Sequence, residues 1–152
     1  MTDSIGTTGA CVSPRRAHLP FDCDGAAVRA QCRSLGTVVT ITGAVDSTNV
    51  DLVSEYTKRF ILPDEPFVLD LSNLDSFAAQ AVRLIYRIDA VCTAAGLDWS
   101  VIPSEAVNTA LLVTHEESSF PIFVSVHEAL HYFAAATSAR RRMLLPLLTK
   151  TA

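Results

Sequence analysis

Val68-Leu69-Asp70-Leu71-Ser72-Asn73-Leu74 runs into Asp75-Ser76-Phe77-Ala78-Ala79-Gln80-Ala81-Val82, and the reading of this passage decides the fold. A short apolar run with a single acid breaks into a polar turn and then into a helical pattern. That is how a buried central strand hands the chain to a helix.

Upstream, Ala27 to Cys32 and Gly36 to Gly43 read as two strands, the second rich in β-branched residues and bounded by glycine. They are close enough to pair as a hairpin. Residues 1–24 mix Thr, Ser, Gly, Pro and charge and read as a polar arm. Asp46 and Ser47 offer caps to a helix whose Val50, Val53, Tyr56 and Phe60 recur at three and four residues, until Pro63 ends it.

Downstream, Gln80 to Ala95 reads as a helix closed by Gly96, and Trp99 to Ile102 as the next strand. Pro103-Ser104 opens a third helix through Val107, Ala110, Leu111 and Thr114. Phe120 to Val124 reads as a strand and Ser125 as the start of the last helix. Strands alternating with helices after a hairpin predict an α/β fold: a mixed, mostly parallel sheet of about five strands with about four to five helices, mainly on one face. The predicted organisation is a flexible polar arm at 1–24, a domain at 25–137 and a basic, apolar tail at 138–152 that continues the last helix.

Of 152 residues, 49% are hydrophobic and 18% charged, enough for a core and too apolar for a disordered chain. The net charge is -4. Residues 18–139 hold 15 acids against 6 Lys and Arg. That body lacks the basic face that nucleic-acid binding requires, so no direct nucleic-acid partner is expected. No apolar stretch reaches the ~20 residues of a membrane span, and Met1 to Ala10 lack a leader pattern, so a cytoplasmic location is expected. Cys11, Cys23, Cys32 and Cys92 lack CxxC spacing and read as free thiols.

The order apolar-Leu-Asp-Leu-Ser, a six-residue connector and an apolar helix resembles the core signature of the STAS domains, the family of anti-sigma factor antagonists. Two further segments fit in order: Val38 to Asp46, and Phe120 to Phe123 followed by Ser125-Val126-His127-Glu128-Ala129-Leu130. The likeness spans roughly residues 27–136. It implies a STAS-like fold and a non-catalytic protein-binding regulator of sigma-factor-dependent transcription, acting through an anti-sigma partner and needing no cofactor.

In that family the connector carries Asp-Ser-Ser-Gly or Asp-Thr-Ser-Gly, and its first hydroxyl is phosphorylated to break partner contact. Aligned without gaps, Ala78 replaces the Asp, Ala79 the phosphoacceptor, Gln80 the second Ser and Ala81 the Gly. Ala79 cannot carry a phosphoryl group. A shortened connector would bring Ser76 to the acceptor position, but the ungapped register keeps Val82 and Ile85 in phase with the core. The arm hydroxyls, Thr2 among them, are the other candidate phosphorylation sites. The resemblance implies a partner surface at Asp46, Ser47, Asp75, Ser76, Ala78, Ala79, Gln80 and Ala81.

Two other classes compete. His127-Glu128-Ala129-Leu130-His131 matches HExxH, in which two His hold zinc and the Glu is a general base of a zinc-dependent hydrolase. Against it, Ser125-x-x-Glu128 is a capping box, and no His, Asp or Glu follows His131 as a third ligand. The third class is a ligand-sensing module. Finally, Arg140-Arg141-Arg142 precedes Met143-Leu144-Leu145, a segment that would either touch an anionic membrane surface or lay its leucines on the domain.

Overall fold

The computed structural model describes residues 20–116 and 119–151, with side chains up to Met143. Cys11, Thr2 and the rest of the arm before residue 20, and the tail's leucine side chains, lie outside the described residues. The sheet contains β1 (Phe21–Asp22), β2 (Ala26–Arg33), β3 (Gly36–Val45), β4 (Phe67–Asp70), β5 (Leu74–Phe77) and β6 (Trp99–Ile102). The helices are α1 (Val50–Lys58), α2 (Val82–Ala94), α3 (Glu105–Val113) and α4 (Val126–Thr151).

The spatial order is β1-β2-β3-β4-β6, with β5 also paired to β3. β1, β2 and β3 are antiparallel; β4 and β5 run parallel to β3, and β6 parallel to β4. The fold is therefore the expected α/β arrangement, with six strands among the described residues instead of about five. The hairpin pairs Arg33 with Gly36 and Ala26 with Gly43.

A main core lies between one face of the sheet and α1, α2 and α3, with Ile41, Leu69, Val53, Ile85, Ile88 and Leu111 fully enclosed. On the other face α4 sets Ala129, Leu130 and Phe133 against Val38, Val68 and Ile102. Alternation in β3 is the reason: Val39 and Ile41 face three helices, whereas Thr40 and Thr42 lie on the less covered face and are partly exposed.

Several local readings change. Phe21 and Asp22, inside the predicted arm, form an edge strand against β2, and the Phe21 ring stacks on Tyr56 at 4.2 Å. Phe120–Val124 is not a full strand but a single bridge, Val101 to Ile122. Pro121 has no N–H to give, and the Val124 N–H goes to the Glu128 carboxylate at 3.2 Å. α1 is not capped by the side chains of Asp46 or Ser47. Asn49 stands at its start, donating to the Asp24 and Ala44 carbonyls and accepting from the Asp46 N–H. α4 runs past Pro146 to Thr151.

The thiol reading is corrected at one position: Cys32 is disulfide-bonded, while Cys23 and Cys92 are free and buried. Pairing depends on how the fold places two Cβ atoms and leaves no mark in sequence spacing.

Candidate functional site: the strand-to-helix corner

Asp70 ends β4, and its carboxylate accepts from the Ser72 N–H at 3.1 Å and the Ser72 hydroxyl at 2.6 Å. This acid in an apolar strand is a turn-former, as expected of a polar side chain that satisfies nearby donors. The turn shifts the chain sideways. β4 pairs with the first half of β3 up to Thr40, and β5 takes over the same edge from Gly43.

The hand-over needs a kink in β3, and it falls between Gly43 and Ala44. Gly43 has φ +94°, and a Cβ there would lie 2.5 Å from the Gly25 carbonyl oxygen. Only glycine fits that approach. The connector is thus a short parallel strand, and it registers Ser76 with Ala44 and Phe77 with Val45.

Beyond Phe77 the chain turns through Ala78 into a 3-10 turn, Ala79–Ala81, and on into α2. Ala78 is extended and supplies no side-chain cap. Ala79 and Gln80 are exposed and Ala78 is half-buried. Ala81 is fully buried in the main core, so it lies beneath the corner and not on it. The first N–H groups of a helix lack intrahelical acceptors; here those of Ala78 and Ala81 are bonded to the Val45 and Ala78 carbonyls, and the exposed part of the turn is Ala79 and Gln80.

The Asp46-Ser47 turn stands beside this corner, because the Ala78 N–H donates to the Val45 carbonyl at 3.0 Å. The Asp46 carboxylate accepts from the Thr48 hydroxyl at 2.5 Å and the Thr48 N–H at 2.9 Å. Those bonds hold it below the usual carboxylate range, chiefly through the hydroxyl. Asp75 and Ser76 are exposed on β5. The bond from Ala78 to Val45 sets Asp46 and Ser47 beside Ala78, Ala79 and Gln80, with Ser76 next along β5 opposite Ala44. Asp75 lies apart from them, lining a hollow with Ser72, Ser104 and Glu105 at the start of α3.

Sequence reasoning missed the groove beside the corner. Ala79, Gln80, Arg83, Tyr86 and Glu116 line an open, largely apolar hollow of about 480 Å³. The Glu116 carboxylate accepts from the Tyr86 hydroxyl, which raises the tyrosine and lowers the acid. Arg83 and Tyr86 fall at i, i+3 on the outward side of α2, a spacing shared with any solvated helix face.

The HExxH residues have other roles. The Ser125 hydroxyl accepts from the Glu128 N–H at 3.1 Å, the first half of the expected capping box, while the Glu128 carboxylate accepts from the Val124 N–H, one residue before the cap, instead of from that of Ser125. His127 and His131 are exposed with ring centroids 4.2 Å apart. Of the upstream acids, Glu116 is engaged with Ser119 as well as Tyr86. Among the described residues no group of three or more His, Cys, Asp or Glu is placed to hold a metal ion.

A six-stranded mixed sheet, three helices on one face and an exposed strand-to-helix corner define a class, and the sequence profile of the STAS domain matches residues 27–129. The chain belongs to the STAS domain family. It is 41% identical, over the whole of both chains, to Osmosensory protein A of Mycobacterium tuberculosis strain H37Rv. Two solved structures share the fold at 14% identity. An anti-sigma factor antagonist from Mycobacterium paratuberculosis matches with TM-score 0.63 over 73% of this chain and 96% of its own. The anti-sigma factor antagonist SpoIIAA in its unphosphorylated form matches with TM-score 0.57 over 72% and 97%. Among the described residues no helix is long and apolar enough to cross a membrane.

Proposed function

We propose that this STAS chain is a non-catalytic, protein-binding regulator of the anti-sigma factor antagonist type, acting in the cytoplasm on an anti-sigma partner without a phosphorylation switch in its connector. The observation that carries the reading is the exposure of Ala79 at the start of α2, beside the Asp46-Ser47 turn. A partner meets a compact turn that carries no charge at Ala78, Ala79 and Gln80 and is flanked by the Asp46 carboxylate. A phosphate at this point would add about -1.5 to -2 charges, and alanine offers no place for it.

Membership of the STAS family and the fold of the two antagonists support this class of function. The name of the 41% identical relative supports an osmotic signal upstream. With no hydroxyl at residue 79, control falls to the arm, where Thr2 is a candidate; phosphate found on Ser76 would reverse the reading of the connector. The zinc-hydrolase reading has little support, because Glu128 is spent on the helix start and His127 and His131 find no third ligand among the described residues.

The test is affinity capture from a lysate of the source organism with immobilised wild-type protein and Ala79→Glu. Wild type should retain an anti-sigma-type protein, and the new charge should reduce its capture at least about tenfold, the weight of one desolvated like-charge contact. Equal capture by both would overturn the reading.

A further inference from the structure

We propose that the cleft between α4 and the loops before β3 and β4 binds a small zwitterion of the α-amino acid type, its ammonium held by Asp64 and Glu65 and its carboxylate by Arg141. The cleft encloses about 380 Å³. That lies in the range of about 300–1,000 Å³ typical of small-molecule sites. It opens at the start of β3, and nine residue steps of strand, about 30 Å, separate it from the corner at Val45. The proposal is therefore independent of the docking surface.

The charges on its walls are unspent. Asp64 and Glu65 come from the loop after α1, and Arg141 comes from α4. The ion pairs among the described residues join Lys58 to Glu55, Arg87 to Asp51 and Arg140 to Asp98, and none joins Arg141 to either acid. The neighbouring Arg140 is neutralised by Asp98 at 3.1 Å, which leaves Arg141 as the cation facing the cleft. The hydroxyls of Ser34, Thr137 and Ser138 also line it, without hydrogen-bond partners among the described residues.

These groups select a ligand by exclusion. A phosphate or nucleotide meets two carboxylates, and a bare cation meets a guanidinium. A molecule with an ammonium and a carboxylate a few bonds apart satisfies both walls with charge-assisted hydrogen bonds. Its small side chain would rest on Leu35, Pro66 and Phe133. Such a ligand ties α4 to the body at a point where residues 138–143 are otherwise exposed, so occupancy becomes a way to fix that half of the helix.

The full chain labelled with nitrogen-15 is titrated with L-alanine, with acetate and ethylamine as single-charge controls and glycine betaine as a zwitterion without N–H donors. L-alanine should give saturable millimolar shifts at the amides of Gly36, Glu65 and Thr137, glycine betaine weaker ones, and the single-charge compounds none at the same concentration. Arg141→Met and the pair Asp64→Asn with Glu65→Gln should each weaken binding about tenfold or more, as expected for one charge-assisted bond, while Arg142→Met leaves it unchanged. Absence of saturation, equal response to acetate or ethylamine, betaine binding as tight as alanine, or an unaffected Arg141→Met would each overturn the proposal.

Discussion

The Ala78 amide donates to the Val45 carbonyl at 3.0 Å, and this single bond sets the connector beside the Asp46-Ser47 turn. Segments thirty residues apart thereby form one surface. The contact exists because β5 continues along the edge of β3 that β4 leaves at Asp70.

That hand-over rests on Gly43. Gly43→Ala should cost about 2–5 kcal/mol, since it combines a left-handed backbone with a Cβ driven against the Gly25 carbonyl. Gly96 also has positive φ, +70°, but nothing lies within 4 Å of its missing Cβ. Gly96→Ala should cost only about 1–2 kcal/mol. Urea unfolding of the two variants measures the difference, and equal losses would remove the steric account of the kink.

The capping role of the HExxH segment has its own signature. Ser125→Ala should lower stability by about 1 kcal/mol, the usual weight of an N-cap. His127→Ala and His131→Ala, both at exposed positions, should stay within about 0.5 kcal/mol of wild type. A histidine variant that loses as much stability as Ser125→Ala would give the imidazoles a structural role absent from this account.

Burial pushes the Cys92 thiol up to about 12, with the nearby Asp89 adding to it. Because the folded form holds its proton more tightly than the unfolded chain, the stabilisation is complete below the ordinary value of 9.0 and fades as pH rises from there toward about 12. Melting temperature followed from pH 8 upward should therefore fall less steeply in Cys92→Ala than in wild type. At neutral pH a thiol reagent should label Cys92, and the similarly buried Cys23, only as fast as the chain opens.

The elements with strong periodicity were legible in the residues. The hairpin, the Ser104 cap of α3 and the Gly96 stop of α2 stand where residue type and spacing place them, as do Val50 and Val53 of the α1 stripe; α1 itself ends at Lys58, before Phe60 and Pro63, and buries Ser54 and Thr57 in addition. β5 was not legible, because Leu74-Asp75-Ser76-Phe77 has weak strand propensity and is held by backbone bonds to β3 and by burial of Leu74 and Phe77 in the main core. The start of α2 was read too early for a related reason: Ala79 to Ala81 form a tighter turn that alanine propensity cannot tell from a helix.

For the corner, sequence supplied the residues but not their depth. Ala81 carries the same side chain as Ala79, yet one is sealed in the core and the other faces solvent. Which is which follows from the turn that precedes α2. The groove at Arg83, Tyr86 and Glu116 joins α2 to the chain after α3, and a tertiary contact of that kind has no local pattern.

The most direct test of the central claim is a footprint of the captured partner on the labelled protein, read as amide shift changes. The account predicts a contiguous set over Asp46 to Thr48 and Ser76 to Gln80, extending to Arg83 and Tyr86, with the exposed side of α4 at His127 and His131 unmoved. A footprint centred on α4 or on the β1 edge, with the corner silent, would contradict it.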